Sequence, residues 1–278
     1  MSGNNYIGRF APTPSGRLHF GSMVAAVGSW LDARKAGGKW RVRMDDLDPP
    51  RVEPGAADDI LRTLEGFGLE WDGPVIYQSN RLDRYQEVMD DLHQRDLIFP
   101  CSCTRKNLQG LSVYPGTCRN RKGIDQRSWR MKVPSGRLQW TDRAMGEQSV
   151  SVEAEIGDFL IKGAHGFFTY HFANAIDDFD HSISDVVRGA DLLGSTANEL
   201  LVYRAFEMQN LRFMHLPLAL NQLGNKLSKQ TMAQPVEANE ASRHINDVLL
   251  HLGLEKVELD EPKIMLTSSI AQWNWGRI

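Results

Sequence analysis

The spacing of apolar residues near the start of the chain predicts alternating strands and helices. Residues 6–11 (YIGRFA) form a short apolar run that is typical of a strand. Two prolines and a glycine in residues 12–16 (PTPSG) then predict a loop. Apolar residues recur at helical spacing from about residue 20 to residue 35, and residues 40–44 (WRVRM) alternate like a second strand. A second helix is expected over about residues 56–67. This order indicates a parallel sheet with crossover helices.

The middle of the chain has a different pattern. Residues 100–163 hold all the cysteines, a basic run from Arg119 to Arg130, and short alternating segments such as residues 149–153 (SVSVE). We interpret this region as an inserted subdomain that contains some antiparallel strand.

The alternating pattern resumes after residue 167. Thr196 and Glu199 fit a capping box at the start of a helix that runs to residue 208. About 43 residues follow Pro235, which is enough for two or three helices.

Composition narrows the class of protein. The 278 residues are 41% hydrophobic and 24% charged, which is enough for a sizeable core and is ordinary for a globular protein. The net charge of −3 disfavours a protein that coats RNA with a basic surface, although local basic patches remain possible. The chain has neither a secretory signal nor roughly 20 consecutive apolar residues, so we expect a soluble, cytoplasmic protein that does not contact membranes.

The three cysteines all lie between Cys101 and Cys118. A disulfide framework has an even number of cysteines, spread along the chain. Three thiols in one short window instead indicate metal ligands that lack a fourth partner.

A first candidate phosphate site lies in residues 8–22 (GRFAPTPSGRLHFGS). The predicted order is strand, loop and helix start, and the free N–H groups of a helix start suit an anion such as a triphosphate. Gly21 would let a flat ring approach the backbone, and His19 could donate a hydrogen bond to a phosphate oxygen. The alternative is an ordinary strand–helix turn with a capping histidine.

A second candidate lies in residues 226–230 (KLSKQ), within a polar loop. Lys226 and Lys229 could close over a phosphate chain and stabilise the charge that develops on the reacting phosphorus. The alternative is a solvated basic loop. Since the two candidates lie at opposite ends of the alternating pattern, we favour a shared function.

Together these stretches resemble the nucleotide-binding motifs of class I aminoacyl-tRNA synthetases. Residues 19–22 (HFGS) resemble the family's His-Ile-Gly-His motif, and KLSKQ resembles its Lys-Met-Ser-Lys-Ser motif. Three further stretches resemble the glutamyl/glutaminyl branch: residues 8–16, 43–51 and 187–193. The implied fold is α/β, a Rossmann-type doubly wound parallel sheet with an inserted, zinc-containing, acceptor-binding subdomain and a short helical C-terminus.

The resemblance also implies four segments. They are the first half of the nucleotide-binding catalytic domain (residues 1–99), the inserted subdomain (100–165), the second half of the catalytic domain with the KLSKQ loop (166–235), and a short helical C-terminal segment (236–278).

The implied reaction is the ATP-dependent activation of an amino acid, with Mg²⁺ bound to the phosphates. By the match, His19 and Lys229 would stabilise the phosphates in the transition state. The implied ATP-binding residues are His19, Gly21, Ser22, Lys226, Ser228 and Lys229. Ser22 stands where the family motif has its second histidine, so one cationic donor is absent.

The same resemblance implies a pocket for L-glutamate. Arg9 and Arg188 would bind carboxylates, Asp45 the ammonium group, and Tyr170 would line the pocket. The loop residues Phe10, Ala11, Pro12 and Thr13 would also contact glutamate. The family more often has glutamate at the position of Asp45. A structural ion pair at strand ends is the alternative for Arg9 and Asp45.

The cysteine window resembles the zinc site in the insertion of the glutamyl synthetases, notably that of their short paralogues. The implied ligands of a structural Zn²⁺ are Cys101, Cys103, Tyr114 and Cys118. Two alternatives remain: reduced cysteines without a metal, and His93 as the fourth ligand. His165, His171 and His181 show no ligand spacing.

The chain ends about 48 residues after Gln230, whereas a synthetase that reads an anticodon usually has a large C-terminal domain. We therefore favour a natural short paralogue over a fragment. Such a paralogue would be a monomer that activates glutamate without tRNA and attaches it to queuosine in the anticodon loop of tRNA-Asp. The alternatives are a minimal glutamyl-tRNA synthetase that charges a tRNA 3′ end, and a non-catalytic RNA- or nucleotide-binding paralogue, which only Ser22 supports.

Overall fold

The computed structural model describes residues 6–207, 211–219 and 235–274. The strands are β1 (Ile7–Phe10), β2 (Lys39–Met44), β3 (Ile76–Tyr77), β4 (Ile98–Cys101), β5 (Ser128–Met131), β6 (Arg137–Asp142), β7 (Gly146–Ser151), β8 (Leu160–Lys162), β9 (Asp185–Gly189) and β10 (Arg212–Leu216). The α-helices are α1 (Phe20–Lys35), α2 (Ala56–Gly66), α3 (Leu82–Gln94), α4 (Tyr170–Asp180), α5 (Leu193–Ala205), α6 (Ala241–His251) and α7 (Pro262–Ser269).

The main sheet has seven strands in the order β3-β2-β1-β9-β10-β6-β7. All neighbouring strands run parallel except β6 and β7, which form an antiparallel hairpin. The predicted parallel sheet with crossover helices is therefore confirmed. The strand order reverses between β1 and β9, and ligands of open α/β sheets bind at the carboxyl ends of the strands at such a point.

A second, smaller sheet pairs β4, β5 and β8 in antiparallel fashion. It carries a small core of its own, formed by Phe99, Cys101 and Cys118. The antiparallel strands expected in the middle of the chain are thus present. The division into four segments stays a prediction, and the hairpin of β6 and β7 hydrogen-bonds to the main sheet through β10.

Helix α1 packs against the main sheet on one side and α6 on the other, so it is apolar on most of its surface. Met23, Val27 and Leu31 are fully buried in it. A Cβ atom at Gly28 would lie 2.5 Å from a methyl carbon of Leu216 on β10, so a larger residue would have to displace that side chain. The middle of α1 thereby lies close to the carboxyl end of β10.

Two helices, α6 and α7, follow Pro235. Trp273, after α7, donates a hydrogen bond to Asp32 of α1 at 2.8 Å and so joins this segment to the core. No helix in the described part of the chain is long and apolar enough to cross a membrane.

The predicted capping box is wrong. Helix α5 begins at Leu193, so Thr196 and Glu199 lie inside it, and it ends at Ala205. Their side chains bind Arg188 on β9 instead of the helix N-terminus. A buried guanidinium is a stronger partner for a carboxylate than free backbone N–H groups. Glu199 therefore pairs with Arg188 instead of capping the start of a helix.

Candidate active site

A cavity of about 490 Å³ lies at the carboxyl ends of β1 and β9, beside the first turn of α1. We call it the site cavity. Ten of the predicted site residues line it: Arg9, Phe10, Ala11, Pro12, Thr13, His19, Gly21, Ser22, Tyr170 and Arg188. Asp45 is described but does not line the cavity. Lys226, Ser228 and Lys229 lie outside the described residues.

Arg9, at the carboxyl end of β1, is held by Asp178 of α4. Its Nε and Nη2 atoms donate to the two carboxylate oxygens at 3.2 and 3.3 Å. Asp178 also accepts from Arg43 and from the hydroxyl of Tyr203, each at 2.8 Å. Burial alone would raise the pKa of Asp178, but the two guanidinium groups outweigh it and lower the pKa to about 2. Asp178 therefore stays ionised and fixes the Arg9 fork.

Asp45, just after β2, accepts from Arg43 at 2.6 and 3.4 Å. Burial raises the pKa of Asp45 to about 6 even though Arg43 acts to lower it. Its backbone N–H donates to the carbonyl of Pro12 at 2.9 Å, which ties it to the loop that walls the site cavity. Arg9 and Asp45 are thus each in a buried ion pair, although not with one another.

Arg188, at the carboxyl end of β9, is anchored by Glu199. Its Nη1 atom donates to the two Glu199 oxygens at 2.8 and 2.9 Å, and the Tyr170 hydroxyl lies 3.5 Å from the same nitrogen. Burial raises the pKa of Tyr170 to about 12, against the opposing effect of Arg188. Tyr170 is therefore a neutral hydroxyl at physiological pH.

His19 is the N-cap residue of α1. Its Nδ1 atom accepts from the backbone N–H of Ser22 at 3.3 Å, and its Nε2 atom lies 3.2 Å from the Ser22 hydroxyl. The capping histidine considered as an alternative is therefore present, and the same ring lines the site cavity. The first turn of α1 contains no acidic residue, so no carboxylate of the helix itself offsets the positive end of the helix dipole beside the cavity.

The three cysteine thiols of the small sheet lie within 4.8 Å of one another. The Cys103 and Cys118 sulfurs are 3.7 Å apart, and the Tyr114 hydroxyl oxygen lies 3.5 Å from the Cys101 sulfur and 3.8 Å from the Cys103 sulfur. Zn–S bonds of about 2.3 Å in a tetrahedron separate the sulfurs by about 3.8 Å. The three distances given above are close to those of a tetrahedral site, and the cysteine cluster could hold a metal ion.

The surroundings of the cluster favour the thiolate at Cys118, whereas burial raises the pKa of Cys103 to about 11 and also raises the pKa of the Tyr114 hydroxyl. Burial acts to raise the pKa of Cys118, but hydrogen bonds from Tyr114 and Ser102 lower it to about 6. The guanidinium of Arg130 lies 3.8 Å from the centre of the Tyr114 ring. His93, the alternative fourth ligand, instead packs its ring against Trp129 at 4.7 Å.

The family model of the class I tRNA synthetases (E and Q), catalytic domain, matches residues 7–114 and 117–249. This chain belongs to that family. Family membership accounts for both the resemblance of the nucleotide-binding motifs and the parallel sheet. The residues that line the site cavity lie within the matched catalytic domain.

Two curated relatives cover nearly the whole of this synthetase chain. A protein of Dechloromonas aromatica named Glutamyl-Q tRNA(Asp) synthetase is 48% identical, with 89% of this chain and 86% of its own length aligned. A protein of Chromobacterium violaceum with the same name is 45% identical, over 100% of this chain and 97% of its own length.

Among solved structures, the chain is similar to a glutamate tRNA ligase from Elizabethkingia meningosepticum that was crystallised with its amino acid. The TM-score is 0.83 at 25% identity, and the match covers 99% of this chain and 66% of that one.

Sequence reasoning missed the acids that hold the two synthetase arginines, Asp178 and Glu199. Asp178 is preceded in α4 by buried apolar residues such as Phe172 and Ile176, and a carboxylate on such a face indicates a buried cation partner. That signal was present in the sequence, but the identity of the partner was not. It also missed other residues that line the site cavity: Ser15, Arg51 and Asp191.

Proposed function

We propose that this chain is a ligase that activates L-glutamate with ATP, without tRNA, and then transfers the glutamyl group to queuosine in the anticodon loop of tRNA-Asp. The observation that carries the proposal is a cavity with two buried arginines beside the open start of α1, in a chain whose nearly full-length relatives bear the name given above. We further propose that the enzyme is a monomer and that it acts in the cytoplasm, where its proposed tRNA partner is found.

The cavity suits glutamate because the amino acid carries two carboxylates and one ammonium group. Arg9 and Arg188 offer planar forks for the carboxylates, and both forks are fixed by buried acids before the substrate arrives. Tyr170 supplies a hydroxyl between them. Asp45 supplies negative charge from behind the loop wall and thus favours the ammonium group.

The start of α1 suits the triphosphate of ATP. The first turn of α1 at Gly21 and the His19 ring line the site cavity, so backbone N–H groups and the positive end of the helix dipole lie beside a bound phosphate. A carboxylate oxygen of glutamate forms a bond to the α-phosphorus as the bond from that phosphorus to the bridging oxygen breaks, and pyrophosphate leaves with the electron pair. When bound to the phosphates, Mg²⁺ supplies further positive charge. Lys226, Ser228 and Lys229 lie outside the described residues, and we assign them to the proposed ATP site by their resemblance to the family motif.

The second step transfers the glutamyl group to RNA. A hydroxyl of queuosine attacks the carbonyl carbon of the adenylate, loses its proton, and forms an ester as AMP leaves. No covalent intermediate with the enzyme is required, so positioning and charge stabilisation supply the rate.

We also propose that the cysteine cluster holds a structural Zn²⁺ through Cys101, Cys103, Cys118 and Tyr114. The geometry of the donors supports four-coordinate binding with no open position. When bound, the ion would cross-link the end of β4 to the loop that carries Cys118, where the apolar core is small.

Labelled glutamate tests the proposal. We expect glutamate-dependent ATP–pyrophosphate exchange without tRNA, and transfer of label to tRNA-Asp that carries queuosine, even after removal of the 3′ adenosine. Transcribed tRNA-Asp without queuosine is the matched control and should accept no label. Label found only on the 3′ end of tRNA-Glu would instead identify a minimal synthetase. Nucleotide binding with no exchange would identify a non-catalytic paralogue.

A further inference from the structure

Three polar side chains on neighbouring strands form a chain of hydrogen bonds that ends at Arg188. His215 of β10 lies beside Arg188 of β9 in the register of the sheet, and Asp142 ends β6 on the other side of β10. The Arg188 Nε atom lies 3.1 Å from His215 Nε2, and His215 Nδ1 lies 2.6 Å from a carboxylate oxygen of Asp142. Asp142 and His215 are fully buried, and neither lines the site cavity.

The direction of each hydrogen bond follows from Arg188. An arginine keeps all its protons, so its Nε atom is a donor and His215 Nε2 must accept. The histidine then carries its proton on Nδ1 and donates it to Asp142. The hydroxyl oxygen of Thr196 also lies 3.1 Å from Nε2, and its proton is donated to the Leu192 carbonyl at 3.2 Å.

The Asp142 carboxylate is itself held in place. Its Oδ1 atom accepts from the backbone N–H groups of Ala144, Met145 and His215, at 3.0, 2.9 and 3.2 Å. Its Oδ2 atom is thereby directed at the imidazole. The carboxylate is ionised, since the hydrogen bond from His215 lowers the pKa of Asp142 against the effect of burial.

The contacts of Arg188 show what this arrangement leaves free. Short hydrogen bonds to His215, Glu199 and Thr196, none longer than 3.1 Å, fix the three guanidinium nitrogens. The two remaining N–H groups have only long contacts, 3.5 Å to the Tyr170 hydroxyl and 3.4 Å to the Leu192 carbonyl. Tyr170 and Leu192 both line the site cavity, so these two N–H groups are the ones available to a substrate carboxylate.

We propose that Asp142 and His215 are positioning residues that hold the Arg188 guanidinium ready for a carboxylate of glutamate, with the histidine proton fixed on Nδ1. The inference rests on the proposed function, because it requires Arg188 to bind the amino acid. Strand β6, through Asp142, would then take part in substrate recognition.

Asp142→Asn is the decisive variant because its side-chain oxygen can still accept from the backbone of Ala144 and Met145, while its amide nitrogen reverses the direction of the hydrogen bond to His215. An amide nitrogen at the Oδ2 position would donate to Nδ1, so the histidine proton would move to Nε2 and face the Arg188 N–H. We expect the KM for glutamate in pyrophosphate exchange to rise about 10-fold or more, as for a buried donor that loses its acceptor. The KM for ATP is expected to stay within about twofold, because the two residues do not line the cavity.

Two substitutions of His215 form a matched pair. His215→Gln can reach Arg188 with its side-chain oxygen, whereas His215→Asn can reach only Asp142. We expect the glutamate KM to rise about 10-fold in the asparagine variant and to stay within about threefold in the glutamine variant. In the double variant D142N/H215Q, glutamine should also restore the glutamate KM toward that of the wild type.

Arg188→Lys distinguishes a failure of the proposed role of Arg188 in binding glutamate from a failure of the positioning role of Asp142 and His215. If this variant leaves the glutamate KM unchanged, the proposed function of Arg188 is wrong. If it raises the KM while D142N and H215N do not, the positioning role is wrong and the function stands. Equal rises in both KM values, or a defect that H215Q fails to reverse, would assign the pair to folding alone and overturn the inference. Should D142N fail to fold, the H215N and H215Q pair decides the question.

Discussion

The guanidinium of Arg9 and the carboxylate of Asp178 form a two-point ion pair across 169 residues of sequence, with N–O distances of 3.2 and 3.3 Å. Both side chains are buried, 4% and 0% exposed. The pair joins β1 to α4, and thus the first stretch of the catalytic sheet to a helix that follows the middle segment. It also fixes one of the two forks proposed to bind glutamate.

We expect Asp178→Asn to destabilise the fold by about 3 kcal/mol, because it leaves the charge of Arg9 buried without a counterion. Asp180→Asn on the same helix is the matched control: Asp180 pairs with Arg81 and Arg84, which are partly exposed, so the loss should stay below about 1 kcal/mol. Urea unfolding followed by circular dichroism measures both values. Equal losses in the two variants would contradict a special role for the buried pair.

Asp45 predicts a pH dependence of glutamate binding. Its pKa of about 6 means that the carboxylate is charged above pH 6 and neutral below it, when it no longer attracts an ammonium group. We expect the glutamate KM to be about tenfold higher at pH 5 than at pH 7.5, since about one molecule in ten would then be ionised. Asp45→Asn should show a raised glutamate KM that does not change over this range. A wild-type profile identical to that of the variant would remove the role of Asp45.

His19 can be separated into its two roles by His19→Asn. Asparagine is a good N-cap residue, so the melting temperature should hardly change, whereas His19→Ala should lose about 1 kcal/mol of stability. If the imidazole also contacts the phosphates, pyrophosphate exchange should fall by about 10²-fold in both variants. Full exchange activity in His19→Asn would mean that the histidine serves only as a cap.

Lys229→Ala tests the second motif. We expect pyrophosphate exchange to fall by about 10²-fold or more, as for the loss of a contact to the transition state. Lys263→Ala removes a surface lysine that pairs with the exposed Glu70, and it should leave exchange unchanged. Unchanged exchange in Lys229→Ala would exclude the lysine from the reaction.

The metal site predicts about one zinc ion per chain, measured by atomic emission on protein purified without chelators. Cys103→Ser should lose most of the metal, and Tyr114→Phe should bind it more weakly because one of four donors is removed. His93→Ala should keep it, since His93 packs on Trp129. Zinc loss in His93→Ala alone would move the fourth ligand to the histidine.

Local patterns were enough to predict the first strands and helices. The predicted helix over residues 20–35 coincides with α1, because apolar spacing and the glycines after it are both signals along the chain itself. The cavity-lining loop was found for the same reason: its prolines and glycines mark the turn, and the motif resemblance marks its role.

The parts that could not be predicted depend on pairing across the sequence. Glu199 was interpreted as a cap residue because only its neighbours along the chain were considered, yet its partner is Arg188 on an adjacent strand. Asp142 and His215 lie 73 residues apart, and nothing near either one indicates the other. A charged residue on an otherwise apolar face indicates from the sequence that it has a partner of opposite charge, but only the folded structure shows which residue that partner is.

The hairpin of β6 and β7 has a consequence for chimaeras. The long segment between β4 and α4 includes strand β6, which pairs with β10 and so belongs to the same sheet as β9. Exchanging the whole segment with that of a distant relative would therefore replace two strands of the main sheet, β6 and β7, along with the loop that carries Cys103 and Cys118. A graft confined to residues 101–127 would leave both strands native, and it is the cut that we expect recombinant hybrids to tolerate.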